Sequence, residues 1–139
     1  MRAVRRQDTR PERMLQSALR ALDLSFALNA RDLPGTPDIV FREVRVAIFV
    51  HGCFWHRHAG CRRATMPRSN IEYWRAKFAA NVERDRRKLA ELERLGWRAV
   101  VFWQCEIEED ATCAAQRVRA LLRRVGVRDA ACRSIEAPP

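Results

Sequence analysis

The sequence predicts an α/β domain in which helices flank a mixed central sheet. Three short apolar runs typical of strands alternate with segments whose apolar residues recur every three or four positions, as in helices. The predicted order is helix, strands, loop, helix, strand, helix. At 139 residues the chain suits a single domain over residues 1–139, since domains most often contain about 100 to 150 residues.

The first predicted helix begins at a capping box formed by Thr9 and Glu12, with proline in its first turn. We expect it to end near Leu24. Its apolar stripe contains Met14, Leu15, Ala18, Leu19 and Leu22. Residues 1–10 carry four arginines and form a basic arm, which is either a solvated terminus or a DNA contact.

Three strands are predicted in the first half of the chain. A short one covers residues 25–28, and a turn-rich loop at 29–37 follows it. Residues 38–41 and 44–50 then form two strands joined by a tight turn. The second of these ends in an entirely apolar run, as a central buried strand would.

Residues 51–69 contain too much Gly, His, Arg and Pro for a regular element. A capping box of Ser69 and Glu72 then opens a long helix that ends at Gly96. Its predicted stripe contains Ile71, Trp74, Phe78, Val82, Leu89, Leu92 and Leu95. Asp85 is in register with this stripe, so it either faces a polar cavity or an internal partner, or pairs with an arginine at the stripe's edge.

The last third of the chain contains one strand and one helix. Residues 97–103 form the strand and are followed at once by Cys105. Residues 111–125 form a closing helix that Gly126 terminates. Residues 127–139 are predicted to be a weakly ordered tail.

The net charge of +10 favours a nucleic-acid partner. Nearly all of the excess is arginine, which pairs bidentately with phosphate and with guanine edges. A genomic preference for arginine would explain its use in place of lysine, but it would not explain the net charge.

The sequence also indicates where the protein is located and whether its cysteines form disulfides. No apolar run approaches the ~20 residues that cross a bilayer, and the first residues lack the apolar core of a secretory signal. We therefore expect a cytoplasmic protein. Five cysteines without a secretory signal argue against a disulfide framework and leave metal ligation or burial.

One histidine and three cysteines have the composition of a structural zinc site. The candidate ligands are Cys53, His58, Cys61 and Cys105. Three thiolates and one imidazole complete a tetrahedron and leave no position for a catalytic water. The alternative is a group of reduced, buried cysteines near a histidine. Cys113 and Cys132 are predicted to be plain cysteines.

A second site is predicted where two strands meet. In an antiparallel pair, Asp38 and residues 49–51 lie at the same end of the sheet, and His51 and His56 are left free by the zinc set. A carboxylate and backbone carbonyls can hold Mg²⁺, and a histidine can protonate a departing oxygen. This combination favours metal-assisted phosphodiester hydrolysis. The alternative is a turn aspartate with surface histidines.

Large aromatics accompany these groups. Phe54 and Trp55 lie in the loop and Trp74 near the start of the long helix. Aromatic side chains on a basic surface can wedge between base pairs, and a mismatched step lowers the cost of unstacking. For Trp74, a small core around the zinc site is an equally good explanation.

These residues resemble the very-short-patch repair (Vsr) DNA mismatch endonucleases. The shared motifs are Pro34-Gly-x-Pro-Asp38, Phe49-x-His-Gly-Cys-Phe-Trp-His-x-His58, Cys61, Pro67, Trp74, Asn81-Val-Glu-Arg-Asp85 and Gly96-Trp97 through Trp103-x-Cys105. The resemblance implies a fold of the restriction-endonuclease type, known as PD-(D/E)XK. It also implies a Mg²⁺-dependent, strand-specific nick on the 5′ side of the thymine in a T:G mismatch left by deamination of 5-methylcytosine.

The resemblance also implies residue roles. Asp38 would ligate magnesium with the main-chain carbonyl of Val50. His51 with Asp85 would order metal-bound water, and His56, supported by Glu12, would be the general acid or a phosphate contact. The structural zinc ligands would be Cys53, His58, Cys61 and Cys105. The residues that would intercalate beside the mismatch are Phe54, Trp55 and Trp74.

Three departures from the family pattern are visible. Val50 stands where the family commonly has threonine, His58 and Cys61 are one residue further apart than expected, and the amino-terminal arm starts late. The expected partner is double-stranded DNA with a T:G mismatch, together with other mismatch-repair proteins. We expect a monomer that acts at the bacterial nucleoid without contacting a membrane. The alternatives are a nicking endonuclease with broader mismatch or different site specificity, and a non-catalytic, zinc-stapled DNA-binding module.

Overall fold

The computed structural model describes residues 9–134, and side chains are described for residues 9–126. The helices are α1 (Arg10–Ala21), α2 (Ile71–Arg94), α3 (Gln104–Glu109) and α4 (Ala111–Ser134). The strands are β1 (Ala27–Leu28), β2 (Ile39–Phe41), β3 (Val46–His51) and β4 (Arg98–Trp103). The predicted α/β element order is confirmed, and the short helix α3 is an addition to it.

The four strands form one mixed sheet in the order β1-β2-β3-β4. The first two pairs are antiparallel, whereas β3 and β4 run parallel. Ile39 lies opposite Ile48, and His51 is paired in register with Trp103. The start of β2 and the ends of β3 and β4 therefore lie at one end of the sheet, as the sequence predicted for Asp38 and residues 49–51.

The core occupies both faces of the sheet, because side chains alternate along a strand. On one face, Ile48 of β3 packs in a cluster with helices α1, α3 and α4. The helical residues of that cluster are Leu15, Leu19, Ile107, Ala114, Ala115, Val118 and Leu121. On the other face, Phe49 packs with Leu92 of α2. By the same alternation, His51 is on the α2 side.

Helix α1 begins as predicted and ends earlier than predicted. Thr9 is the N-cap, and its side-chain oxygen accepts a hydrogen bond from the Glu12 backbone N–H at 3.4 Å. Asp23 adopts the left-handed conformation with φ of 61°. Leu24 then donates its backbone N–H to the Leu19 carbonyl at 3.2 Å, as at many helix C-termini. The predicted end near Leu24 is therefore wrong.

The predicted start of α2 is also wrong. Asn70 is the N-cap in a left-handed conformation with φ of 56°, and no side chain caps the helix there. The predicted capping box of Ser69 and Glu72 would make Asn70 the first helical residue, which its left-handed backbone prevents.

The buried face of α2 differs from the predicted stripe. Ile71, Val82 and Leu95 are 41%, 44% and 55% exposed, while the polar Asn81 is 8% exposed. Phe78 and Leu92 are buried as predicted. The helix packs on the sheet near its end and on residues of the preceding loop near its start. These two contacts bury the face of α2 that carries the polar Asn81 near its centre.

Helix α4 does not stop at Gly126, as predicted, but continues to Ser134. Glycine inside a helix costs only about 1 kcal/mol, and the flanking residues propagate the helix. The weakly ordered tail predicted for 127–139 thus overlaps the helix, and residues 135–139 lie outside the described part. Residues 1–8 of the predicted arm at 1–10 lie outside it as well, while Thr9 and Arg10 form the start of α1. Within residues 9–134, no helix is both long and apolar enough to cross a membrane.

Two leucines in α2 provide a test of this packing. Leu92 is fully buried and Leu95 is 55% exposed. We expect Leu92→Ala to lower the free energy of unfolding by about 2–5 kcal/mol, because it leaves a cavity. The matched control Leu95→Ala should change it by less than about 1 kcal/mol. Urea unfolding followed by circular dichroism measures both, and equal losses would contradict the assigned face.

Candidate active site and metal centre

A compact turn brings Asp38 to the end of the sheet. Gly35 has φ of 78°, and a Cβ there would lie 3.0 Å from Lys88 Cβ and 3.1 Å from the Phe49 ring. Only glycine allows this approach without strain. Pro37 is fully buried directly before Asp38. The Pro-Gly-x-Pro-Asp motif therefore fixes the position of the aspartate.

Asp38 contacts both β3 and α1. The Val50 backbone N–H donates to Asp38 Oδ2 at 2.7 Å, and the Asp38 N–H donates to the Ile48 carbonyl at 3.0 Å. Glu12, which is 3% exposed, is hydrogen-bonded to the Asp38 carboxyl group. Burial and the neighbouring Glu12 carboxylate raise the pKa of Asp38 to about 8. Two adjacent, poorly solvated carboxyl groups need a shared proton or a cation.

His51, His56 and Asp85 form a compact group beside this acid pair. The two imidazole rings are stacked, with centroids 3.9 Å apart and planes inclined by 8°. His56 Nδ1 lies 2.6 Å from Asp85 Oδ2. One nitrogen or oxygen of each of the three residues lies within 4.8 Å of the others. Of the alternatives for Asp85, the structure favours an internal histidine partner.

The histidine that lies deeper is held neutral. His51 is 7% exposed. Burial, together with the adjacent His56, lowers the pKa of His51 to about 4, while Asp85 opposes the shift. At neutral pH, His51 is therefore an uncharged imidazole. It can bind a water or donate one hydrogen bond, but it carries no proton to give away as an acid.

The structure adds a hydrogen-bond pairing to the roles that the resemblance implied. Asp85 hydrogen-bonds to His56 and also lies within 4.8 Å of His51, with which the resemblance grouped it. Glu12, implied as the support of His56, is hydrogen-bonded to Asp38. The pairing depends on how α1 and α2 dock onto the sheet, which local sequence spacing does not specify.

The predicted zinc ligands gather in one cluster, which we call the Cys₃His cluster (Cys53, His58, Cys61 and Cys105). His58 Nδ1 lies 3.6 Å from Cys53 Sγ and 3.5 Å from Cys105 Sγ. The Sγ atoms of Cys61 and Cys105 are 3.9 Å apart. Tetrahedral zinc with its usual bond lengths requires about 3.6 Å between N and S and about 3.8 Å between two S atoms. The cluster therefore fits one tetrahedral ion.

Backbone hydrogen bonds orient the cysteines of the cluster. The Cys105 backbone N–H donates to Cys53 Sγ at 3.4 Å, and the Cys53 N–H donates to Gln104 Oε1 at 3.3 Å. Burial raises the pKa of Cys105 to about 12. The pKa of Cys61 falls to about 7, chiefly because of a hydrogen bond from the Arg63 backbone. A bound cation would make all three thiols thiolates.

Trp103 joins the Cys₃His cluster to the histidine pair. Its ring stacks on His58, with centroids 4.3 Å apart and planes inclined by 10°. It also meets His51 edge to face at 5.3 Å. Sequence reasoning placed Trp103 at the end of a strand without a functional role. The parallel pairing of β3 and β4 is what puts it beside His51.

The predicted base-contacting residues pack on one another. Phe54, Trp55, Trp74 and Phe78 form what we call the aromatic cluster, with ring centroids 5.1 to 6.4 Å apart. Phe78 is 4% exposed, while the other three are half-buried. The cluster thus has a buried base and an accessible upper surface. Trp74 serves as part of a small core and also contributes to that surface.

Asn81 is a polar residue that the apolar periodicity missed. It is 8% exposed. Its side-chain nitrogen donates to the Trp55 carbonyl at 3.4 Å, and its oxygen accepts from Arg84 at 2.8 Å. A helix residue that hydrogen-bonds a loop carbonyl compensates for its own burial. The only sequence signal was its presence in the Asn-Val-Glu-Arg-Asp motif.

Comparison with known proteins identifies the family. The family model of the DNA mismatch endonuclease Vsr matches residues 1–63. A relative from Xanthomonas oryzae pv. oryzae, the type II nicking enzyme V.XorIIP, is 48% identical over 122 residues, which cover 88% of each protein. The chain belongs to the Vsr family. The DNA mismatch endonuclease Vsr of Escherichia coli is 44% identical over 107 residues, which cover 77% of this chain and 68% of that protein.

A third Vsr relative extends the match. The type II nicking enzyme V.NmeAIP of Neisseria meningitidis is 33% identical over 125 residues, which cover 90% of this chain and 88% of that protein. The predicted family and the predicted class, a DNA endonuclease, are confirmed. The predicted mixed α/β sheet agrees with a nuclease fold.

Two cysteines provide a test of the metal centre in this Vsr-family chain. Cys105 belongs to the Cys₃His cluster, while Cys113 is exposed and lies outside it. We expect Cys105→Ser to abolish bound metal and lower the melting temperature, because folding and binding of a structural ion are coupled. Cys113→Ser should keep the parent's metal content. Mass spectrometry measures the metal content of each purified variant, and thermal unfolding measures its melting temperature. A metal-loaded Cys105→Ser variant would refute the assignment.

Proposed function

We propose that this Vsr-family endonuclease makes a Mg²⁺-dependent nick in one DNA strand, 5′ of the thymine of a T:G mismatch. The observation that carries the proposal is the meeting, at one end of the sheet, of the Asp38–Glu12 acid pair with His51, His56 and Asp85. Oxygen ligands for a hard cation and imidazoles for proton transfer are the groups that phosphodiester hydrolysis needs. The E. coli relative, named a DNA mismatch endonuclease, supports the substrate.

In this proposal, Asp38 and the main-chain carbonyl of Val50 hold the magnesium. The acid pair fits that role, because burial and the neighbouring Glu12 raise the pKa of Asp38, and a bound cation would oppose both effects by favouring the carboxylate. A bound Mg²⁺ activates a water and neutralises charge on the phosphodiester. Glu12 keeps the Asp38 carboxyl group oriented from the α1 side. Valine at position 50 is compatible with this role, since only its backbone oxygen is required.

His56 is the proposed general acid. When Asp85 accepts a hydrogen bond from Nδ1–H, Nε2 points away from Asp85, and a proton on Nε2 can be delivered to the departing oxygen. The carboxylate stabilises the protonated ring, as in other carboxylate–imidazole pairs. His51 stacks against the His56 ring and limits its rotation. As a neutral imidazole, His51 is suited to orienting a water molecule.

We assign zinc to the Cys₃His cluster. Its four ligands leave no position for water, so the ion would be structural rather than catalytic. It would connect the loop that carries Phe54, Trp55 and His56 to the start of α3, because Cys105 lies in that helix. The ion would thereby set the distance between the base-contacting aromatics and the general acid.

We assign the accessible surface of the aromatic cluster to the bases beside the mismatch. Phe54, Trp55 and Trp74 would wedge there, since a T:G pair is less costly to unstack than a matched pair. The excess of arginine suits the phosphate backbone. The cytoplasmic and nucleoid location, the monomeric state and contacts with other repair proteins stay predictions.

Substitution of Asp38 tests the catalytic assignment. We expect Asp38→Asn to reduce the rate of nicking of a T:G duplex by roughly a hundredfold or more. Loss of a residue that merely orients a metal ligand already costs about 10- to 100-fold, and Asp38 is the proposed ligand itself. Duplex binding should persist, and the melting temperature should not fall, because an amide oxygen can still accept the Val50 N–H and the amide stays uncharged beside Glu12. Gel-based nicking with and without Mg²⁺ measures this. The control Asp32→Asn alters an exposed ion pair with Arg42 and should nick at the parent rate.

A panel of duplexes tests the substrate. T:G, other single mismatches and a fully matched duplex should be compared in the same sequence context under single-turnover conditions. We expect the T:G duplex to be nicked at least about tenfold faster than the others. Equal rates on several mismatches would replace the T:G assignment with broader mismatch specificity. Binding without any Mg²⁺-dependent nick would indicate a DNA-binding module.

A further inference from the structure

Arg57 occupies an unusual place for an arginine in a basic, DNA-acting protein. It lies between His56 and His58, but its guanidinium turns inward beneath the loop of residues 52–70, which we call the Cys/His loop. Arg57 is half-buried and has a left-handed backbone with φ of 55°. A residue with a Cβ keeps that conformation only where surrounding contacts hold it.

The guanidinium ties the two ends of the Cys/His loop together. Nη1 donates to the Phe54 carbonyl at 3.1 Å and to the Thr65 carbonyl at 3.0 Å. Nη2 donates to the Ala64 carbonyl at 3.0 Å. The Ala64 and Thr65 carbonyls follow Cys61 in the loop, whereas the Phe54 carbonyl precedes His56. Carbonyls in a loop without helix or strand need such donors.

The same group also lies on the aromatic cluster. Its Cζ atom is 3.9 Å from the centroid of the Phe78 ring and 5.5 Å from that of Phe54. Phe78 is buried on α2 and meets the Phe54 ring edge to face at 5.2 Å. Arg57 therefore connects the backbone of the Cys/His loop to a fixed ring on α2, beside the half-buried Phe54.

We propose that Arg57 is a positioning residue for mismatch recognition, which holds Phe54 and Trp55 at the height and angle needed to enter the base stack. This inference rests on the proposed base contacts of the aromatic cluster. The planar guanidinium is what the role requires, since three carbonyls and one ring face are engaged together. A lysine ammonium keeps the charge but cannot reproduce that fork and stacking geometry.

A simpler role for Arg57 would be a direct contact with a DNA phosphate. The two roles make different predictions about salt. Loss of one phosphate contact lowers the slope of log affinity against log salt by about 0.9. Loss of a positioning residue leaves that slope unchanged, because no ion pair with DNA has been removed. Exposed Arg62 in the same loop provides a matched comparison for simple loss of charge.

The experiment uses the full chain carrying Asp38→Asn, so that binding is measured without cleavage. Arg57→Lys, Arg57→Ala and Arg62→Ala are compared on a T:G duplex and on its matched counterpart over a salt series. We expect both Arg57 variants to reduce the preference for the mismatched duplex by roughly tenfold. Their salt slopes and metal contents should equal the parent's. Arg62→Ala should keep the preference.

A fluorescent base reports the positioning directly. With 2-aminopurine placed beside the mismatch, the parent should increase its fluorescence by unstacking it, and both Arg57 variants should produce a smaller increase at saturating protein. Phe78→Leu, which retains an apolar side chain but removes the ring face, should change the signal in the same direction. It provides a second test if Arg57→Ala does not fold.

Several outcomes would overturn the inference. Full mismatch preference in Arg57→Lys would show that charge alone suffices. A reduced salt slope would show a phosphate contact, and loss of bound metal would show a role limited to the stability of the loop. If the parent itself shows no preference for the mismatch, the proposed mismatch specificity is contradicted. A preference in the parent that persists in both Arg57 variants contradicts only the role of Arg57.

Discussion

The site depends on how a loop without regular structure is attached to the rest of the molecule. Residues 52–70 carry His56, Phe54 and Trp55 but no helix or strand hydrogen bonds that would fix them. The Cys₃His cluster ties this loop to α3 through Cys105. With an ion bound, such a cluster is a rigid attachment, because ligand distances are set within tenths of an ångström.

The attachment matters because a single side chain, Trp103, contacts both the Cys₃His cluster and His51. Trp103 stacks on His58 and meets His51 edge to face. A shift of the loop would therefore move His56 and His58 relative to Asp38 and to His51, which strand β3 holds in place. The parallel pairing of β3 and β4 places Trp103 at the same end of the sheet as the Asp38–Glu12 acid pair. In the proposed function, an ion in the Cys₃His cluster would thus maintain the geometry of a separate catalytic site.

The sheet end is locally unfavourable for stability. Asp38 and Glu12 bring two poorly solvated carboxyl groups together, and His51 is held in its neutral form by burial. Such arrangements cost stability and are found where charge has to be shared with a substrate or a cation. The apolar cluster that β3 forms with α1, α3 and α4, in which Leu15, Leu19 and Val118 are fully buried, offsets that cost.

The sequence alone determined the α/β class, the grouping of three cysteines with His58 and the approach of Asp38 to residues 49–51. Those features follow from local periodicity, from ligand chemistry and from the geometry of a strand pair. Only the tertiary structure decided that Asp85 pairs with His56, that Glu12 lies on Asp38 and that Asn81 rather than Val82 is buried. These contacts join segments far apart in the chain, and helix docking sets them. Local spacing carries no information about docking.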